Sequence, residues 1–153
     1  NRRAMHLGEE IKQKNFTSAY QEVIVNILFT SGWLGNLHNQ FLKPYGISQQ
    51  QYNVLRILRG QHQEPASIGL ITERMLDKNS NASRLVDKLL AKDLVERTVS
   101  KADRRQKDIL ITAKGLALLE QLDAEMHGFE QQFHTLSVEE AQTLSALLDK
   151  LRG

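Results

Sequence analysis

Between Ile47 and Thr112 the hydrophobic period of this chain changes once, and that change restricts the folds open to it. Up to Leu90 apolar residues recur every three or four positions, as in amphipathic helices. From Leu94 they crowd into two short runs of strand character. Tyr52, Leu55 and Leu58 mark one short helix that stops near Gly60. Ile68, Ile71 and Met75 mark a second, opened by Pro65 and Ser67, and Ala82, Leu85, Val86, Leu89 and Leu90 mark a third. The runs 94–99 and 108–112 follow, and the charged turn 101–108 between them makes the pair a β-hairpin.

Start signals agree with this division. Ser48 and Gln51 have capping-box spacing, with Ile47 placed to staple onto Tyr52. In the polar stretch 77–81 either Asp77 or Asn79 suits the cap of the third helix. Thr112 is placed to cap the helix after the hairpin. Longer apolar stripes flank this core. Phe16, Tyr20, Val23, Ile24, Ile27, Leu28, Leu34, Leu37 and Phe41 predict a long helix ending before Pro44 and Gly46, preceded by a polar, irregular lead-in over 1–14. Leu116, Leu119, Leu122, Met126, Phe129 and Phe133 predict another, and a Ser137–Glu140 capping box opens a last one carrying Leu144, Leu147, Leu148 and Leu151.

Three short helices and a two-stranded hairpin, in that order, are the winged helix–turn–helix arrangement. The expected fold is therefore mainly α with a small β wing: a winged helix–turn–helix core at 46–112, an N-terminal helix within 1–45 and C-terminal helices within 113–153. The outer stripes are too long for one winged core to cover, so the outer segments are expected to form a dimerisation domain shared between two copies.

Net charge is only +2, but its distribution is uneven. From Lys78 to Lys107 there are nine basic and four acidic residues, a formal +5, so the remainder carries −3. A basic middle between acidic flanks points to a localised anionic partner. The third helix supplies the detail. With Ala82, Val86 and Leu89 inward, Ser80, Arg84, Asp87 and Lys88 face outward, flanked by Asn79, Asn81 and Ser83. Short polar residues approach base edges closely, and Arg pairs bidentately with guanine in the major groove. Taken alone, that face suits any solvated helix; its helix–turn–helix setting makes it a recognition helix. On the hairpin tip Lys101, Arg104, Arg105 and Lys107 surround one acid, Asp103. Such a tip suits a narrow minor groove, though charge also keeps an ordinary hairpin soluble.

The combination is specific. Arg84-Leu85-Val86-Asp87-Lys88-Leu89 with the continuation to Arg97, then Asp103-Arg104-Arg105, then Leu110-Ile111-Thr112-Ala113-Lys114-Gly115, resembles the recognition-helix, wing and post-wing signature of MarR-family regulators. The resemblance runs from about Ser48 to Leu122. It implies a homodimer with intertwined terminal helices that binds an inverted repeat in double-stranded DNA. Recognition helices would sit in successive major grooves and wing arginines in the flanking minor grooves, with Asp103 orienting Arg105. It also implies a transcriptional repressor released by a small aromatic or anionic effector. Asp93 departs from the family, which usually has glycine after this helix; Asp tolerates a left-handed backbone, so an unchanged helix end is expected. The family's thiol-based sensing cannot apply, because the chain has no cysteine.

Other chemistries find less support. There is no nucleophile elbow, phosphate-binding glycine loop or HExxH, so no enzyme and no cofactor is expected. His127 and His134 lack the clustered carboxylates and histidines of a metal site. Trp33, Tyr45 and Tyr52 could line a ligand pocket, although aromatics at helical spacing more often fill cores. No apolar run approaches the roughly 20 residues of a membrane span, and the N-terminus has no signal-peptide core, which together favour a cytoplasmic protein. A first residue of Asn suggests that the native start lies upstream. The rival reading is a winged-helix dimerisation or protein-interaction module that does not bind DNA.

Overall fold

The computed structural model describes residues 5–153, in two units divided between Gln49 and Gln50. In the first unit a short helix, α1 (Leu7–Glu10), interrupts the expected irregular lead-in. Its start is fixed by the Glu9 carboxylate, which accepts from the His6 amide at 3.2 Å, and it buries Leu7. Residues 1–4 of that lead-in lie outside the described residues. The long helix α2 (Ala19–Leu42) begins at Ser18, whose hydroxyl accepts from the Gln21 amide. Pro44 cannot continue an α-helix, and the chain tightens into a 3-10 turn, Lys43–Tyr45. Gly46 then takes a left-handed backbone (φ 69°) that glycine adopts without strain. Of the α2 residues only Leu42 is buried; Tyr20, Val23, Ile24, Leu28, Phe29 and Trp33 are exposed, Tyr20 to 83%.

The second unit opens with most of α3 (Gln49–Gly60), followed by α4 (Ile68–Arg74) and α5 (Ala82–Leu90). Val54, Leu55, Leu58, Ile71, Met75, Ala82, Val86 and Leu89 from these helices form its core. Tyr52, expected inside, is only half-buried, and Val54 and Gln51 occupy the buried stripe instead. Strands β1 (Val95–Val99) and β2 (Lys107–Ile111) pair antiparallel, Val95 opposite Ile111 and Val99 opposite Lys107. Ala66 exchanges two backbone hydrogen bonds with Ile109, both 2.9 Å, which ties the approach to α4 onto the hairpin. Two long helices follow. The first, α6 (Ala113–Gln131), is capped by Thr112 as expected; the second, α7 (Val138–Arg152), opens on the complete Ser137–Glu140 capping box. Leu119 and Leu122 of α6 are buried, whereas α7 buries none of its residues and leaves Leu144, Leu147 and Leu151 exposed. Among the described residues no helix is long and apolar enough to cross a membrane.

Candidate nucleic-acid interface

The turn between α4 and α5 is held by side chains acting on backbone. Asn53 Oδ1 accepts from the Leu76 amide at 2.9 Å, and Asp77 Oδ1 from the Asn79 amide at 2.9 Å. Lys78 Nζ donates to the Glu73 carbonyl. Neither Asp77 nor Asn79 caps α5. Asn81 does, its Oδ1 accepting from the Arg84 amide at 3.0 Å. Asp77 is spent closing its own turn, which moves the helix start two residues past Asn79. Asn79, Ser80 and Asn81 therefore precede α5 rather than form its first turn.

Within α5 the expected faces are present. Ala82, Val86 and Leu89 are buried; Ser83, Arg84, Asp87 and Lys88 are exposed, as are Asn79 and Asn81 before the helix. Ser80 departs from expectation: its hydroxyl is buried without a hydrogen-bond partner, so it does not face outward with Arg84. Asp87 departs differently. Its Oδ1 lies 2.9 Å from Nη1 of Arg97 on β1, an ion pair between α5 and the hairpin. In the sequence Arg97 stands only among the basic residues of 78–107 and at the end of the motif that follows α5. What could have revealed it is its place, ten residues beyond Asp87, just past the tight turn that folds β1 back beside α5.

That turn is tightly specified. Asp93 is left-handed (φ 58°), with its amide on the Leu90 carbonyl at 3.0 Å and the Leu94 amide on Leu89 at 3.1 Å. This is the double bond of a Schellman termination, so aspartate ends the helix as glycine would. The last carbonyls of this region are covered from α6: Thr112 Oγ1 donates to Asp93 O at 2.7 Å and Lys114 Nζ to Lys92 O at 2.9 Å. Thr112 Oγ1 also accepts from the Gly115 amide, so one hydroxyl joins the end of α5 to the start of α6. A Cβ on Gly115 would collide with the Leu94 carbonyl oxygen and fall 2.7 Å from Ile111 Cγ1. Only glycine fits where α6 leaves the hairpin.

At the wing, Lys101, Asp103, Arg104, Arg105 and Lys107 are all exposed. The resemblance had Asp103 holding the Arg105 guanidinium. Instead its carboxylate accepts from the Arg105 backbone amide at 2.9 Å, while the Gln106 amide donates to the Asp103 carbonyl at 2.9 Å. The nearest donor to a carboxylate in a turn is the amide two residues on, and that contact fixes the loop rather than the arginine side chain. At the base of the loop the Ser100 amide donates to Gln106 O at 3.1 Å, and Ser100 Oγ accepts from the Ala102 amide. Among the described residues, the charged ends of Arg84, Lys88, Lys101, Arg104, Arg105 and Lys107 make no ion pair or hydrogen bond to the protein. Six exposed cations are left over two adjacent features, and the acid nearest them on the helix is already paired.

No group of three or more His, Asp or Glu that could hold a metal occurs among the described residues. Tyr52 is engaged by Arg56, whose Nη1 donates to its hydroxyl at 3.0 Å while the guanidinium carbon lies 5.7 Å from the ring centre.

Residues 45–106 match the model of the MarR family. The chain is 27% identical over 117 residues to the transcriptional regulator PapX of Escherichia coli, covering 76% of this chain and 71% of that one. It is 28% identical over 136 residues to the transcriptional repressor MprA of E. coli, covering 86% and 77%. A crystal structure of a mutant MarR from E. coli complexed with operator DNA superposes with a TM-score of 0.72 at 22% identity, over 88% of this chain and 99% of that one. Over residues 45–106, which hold the capped helix α5 and most of the charged hairpin tip, the chain is similar to the MarR family, and over most of its length it is similar to transcriptional regulators.

Proposed function

We propose that the chain is a homodimeric, sequence-specific DNA-binding repressor. Its DNA-binding part is 46–112, and its dimerisation part is made by 1–45 and 113–153. The observation that carries this is the set of six exposed, unpartnered cations on α5 and the hairpin tip. Arg84 reads base edges from the major groove with Ser83, Asn79 and Asn81 beside it, and Lys88 adds a phosphate contact. Arg105 and Arg104 enter the minor groove, with Lys101 and Lys107 on the flanking phosphates. Ser80, its hydroxyl buried, shapes the turn rather than touching DNA. Dimerisation is supported by the apolar side chains that α2 and α7 leave exposed, since large apolar faces usually mark contact surfaces.

Two names among the similar proteins support the direction of control: MprA is called a repressor, and the MarR structure holds operator DNA. Release by a small aromatic or anionic effector belongs to the same reading through the family resemblance. The test is a titration of duplex DNA at several salt concentrations, with light scattering on the same sample. The expected mass is twice 17.5 kDa, with binding that weakens steeply as salt rises. A monomer, or no binding to any duplex at low salt, would leave only an interaction module.

A further inference from the structure

Asp87 is an awkward residue for a DNA-reading helix. It is exposed on the outward face, one turn after Arg84 and next to Lys88. A carboxylate there has two unfavourable options. Unpaired, it repels the phosphate backbone. Paired along the helix, it takes Arg84, because residues three apart lie side by side and form ion pairs at that spacing. Either option weakens the proposed site.

The structure shows a third arrangement. Arg97 reaches from β1 and holds Asp87 Oδ1 at 2.9 Å, while the Arg84 guanidinium has no partner among the described residues. The backbone fixes this geometry. Leu94 packs at the foot of α5 through its amide on Leu89, Asp93 turns the chain, and the register of β1, with Arg97 opposite Ile109, sets where the arginine emerges. Ile109 is itself locked by its two bonds to Ala66. The arginine is thus presented to Asp87 from a framed strand and not from a loose loop.

We propose that Arg97 is a positioning residue that sequesters Asp87, so that Arg84 stays open to bases and the helix face carries no uncompensated negative charge. Arg97 then acts on DNA binding through Asp87 rather than by touching DNA. The proposal rests on the DNA-binding reading above. Its stability contribution is small, because both side chains are substantially exposed, 43% and 60%. Its effect is on binding, where an unpaired carboxylate meets a polyanion.

The test is a double-mutant cycle on the full chain, read on a duplex that the unaltered protein selects from a random pool. Arg97→Gln should weaken binding about fivefold. Asp87→Asn should bind tighter than the unaltered chain. Arg97→Gln combined with Asp87→Asn should return to within about twofold of it, since the charge needing a partner is gone. Thermal melting of all three should match the unaltered chain, showing that the fold is intact. A different outcome overturns the proposal: if Arg97 touches phosphate directly, the double variant stays as weak as Arg97→Gln and its salt slope falls by roughly one unit. If the unaltered chain selects no duplex, the DNA-binding reading itself has failed and this proposal falls with it; if it selects one and the cycle shows no rescue, only the sequestering role is lost.

Discussion

The Asp103 carboxylate accepts from the backbone amide of Arg105 at 2.9 Å, and not from its guanidinium. The one acid of the wing therefore shapes the backbone that presents the arginines. Asparagine has the same acceptor oxygen at the same reach and closes the same turn. Asp103→Ala should weaken duplex binding, because the tip loses its fixed shape and must be ordered on DNA at an entropic cost of roughly 1–2 kcal/mol per residue. Asp103→Asn should bind at least as tightly as the unaltered chain, having kept the turn and lost a negative charge. A titration on one duplex at matched salt decides; equal weakening by both variants would show that the charge itself orients an arginine.

Arg84 is the third residue of α5 and is exposed, with its amide held by the Asn81 cap. Arg84→Ala should cost roughly 1–3 kcal/mol on a selected site and much less on unrelated duplex. Competition binding with both duplexes measures this. Equal losses on the two would make Arg84 a phosphate contact.

Gly115 lies where α6 leaves the hairpin, against the Leu94 carbonyl and Ile111. Gly115→Ala should destabilise by about 1–3 kcal/mol, since an overpacked site yields only by moving backbone. Chemical denaturation measures it. The neighbouring Lys114→Ala, which removes one bond to the Lys92 carbonyl at a solvated surface, should cost about 1 kcal/mol or less.

Arg59 of α3 and Asp123 of α6 form an ion pair at 2.5 Å, with Arg56 at 3.8 Å. The hydrogen bond from Arg59, outweighing partial desolvation and joined by the arginine charges, holds the Asp123 carboxyl below its ordinary 3.8. A carboxylate depressed in the folded state binds fewer protons there than when unfolded, so it stabilises above its unfolded value and that contribution is lost as pH falls through the folded one. Both side chains are partly exposed, 31% and 44%, which limits the gain to about 1 kcal/mol at most. Asp123→Asn should therefore melt slightly earlier than the unaltered chain at pH 7, and the difference should close in acid once the pH has fallen below the carboxyl's lowered range. A constant difference across pH would mean that packing rather than charge is lost.

Periodicity made the helices, the hairpin and the buried face of α5 legible, because Ala82, Val86 and Leu89 can share a face only in a helix. The caps at Ser18, Ser67, Thr112 and Ser137 follow from local chemistry. The third helix start was not legible: Asp77 and Asn79 were the two candidate caps, and Asn81 caps instead because Asp77 closes the preceding turn. Tyr52 and Gln51 exchanged expected places because an aromatic with a hydroxyl can sit half in water beside Arg56. The Asp87–Arg97 pair and the backbone role of Asp103 depend on strand register and loop geometry, which residue identity does not encode.

Selection of bound duplexes from a random pool, followed by sequencing, tests the central claim most directly. A two-fold dimer reading DNA with α5 and the wing should enrich an inverted repeat whose half-sites lie about one helical turn, ~10 base pairs, apart. Runs of A·T pairs should border each half-site where the wing arginines enter the minor groove. A pool that remains unenriched, or an enriched site without two-fold symmetry, would contradict the account.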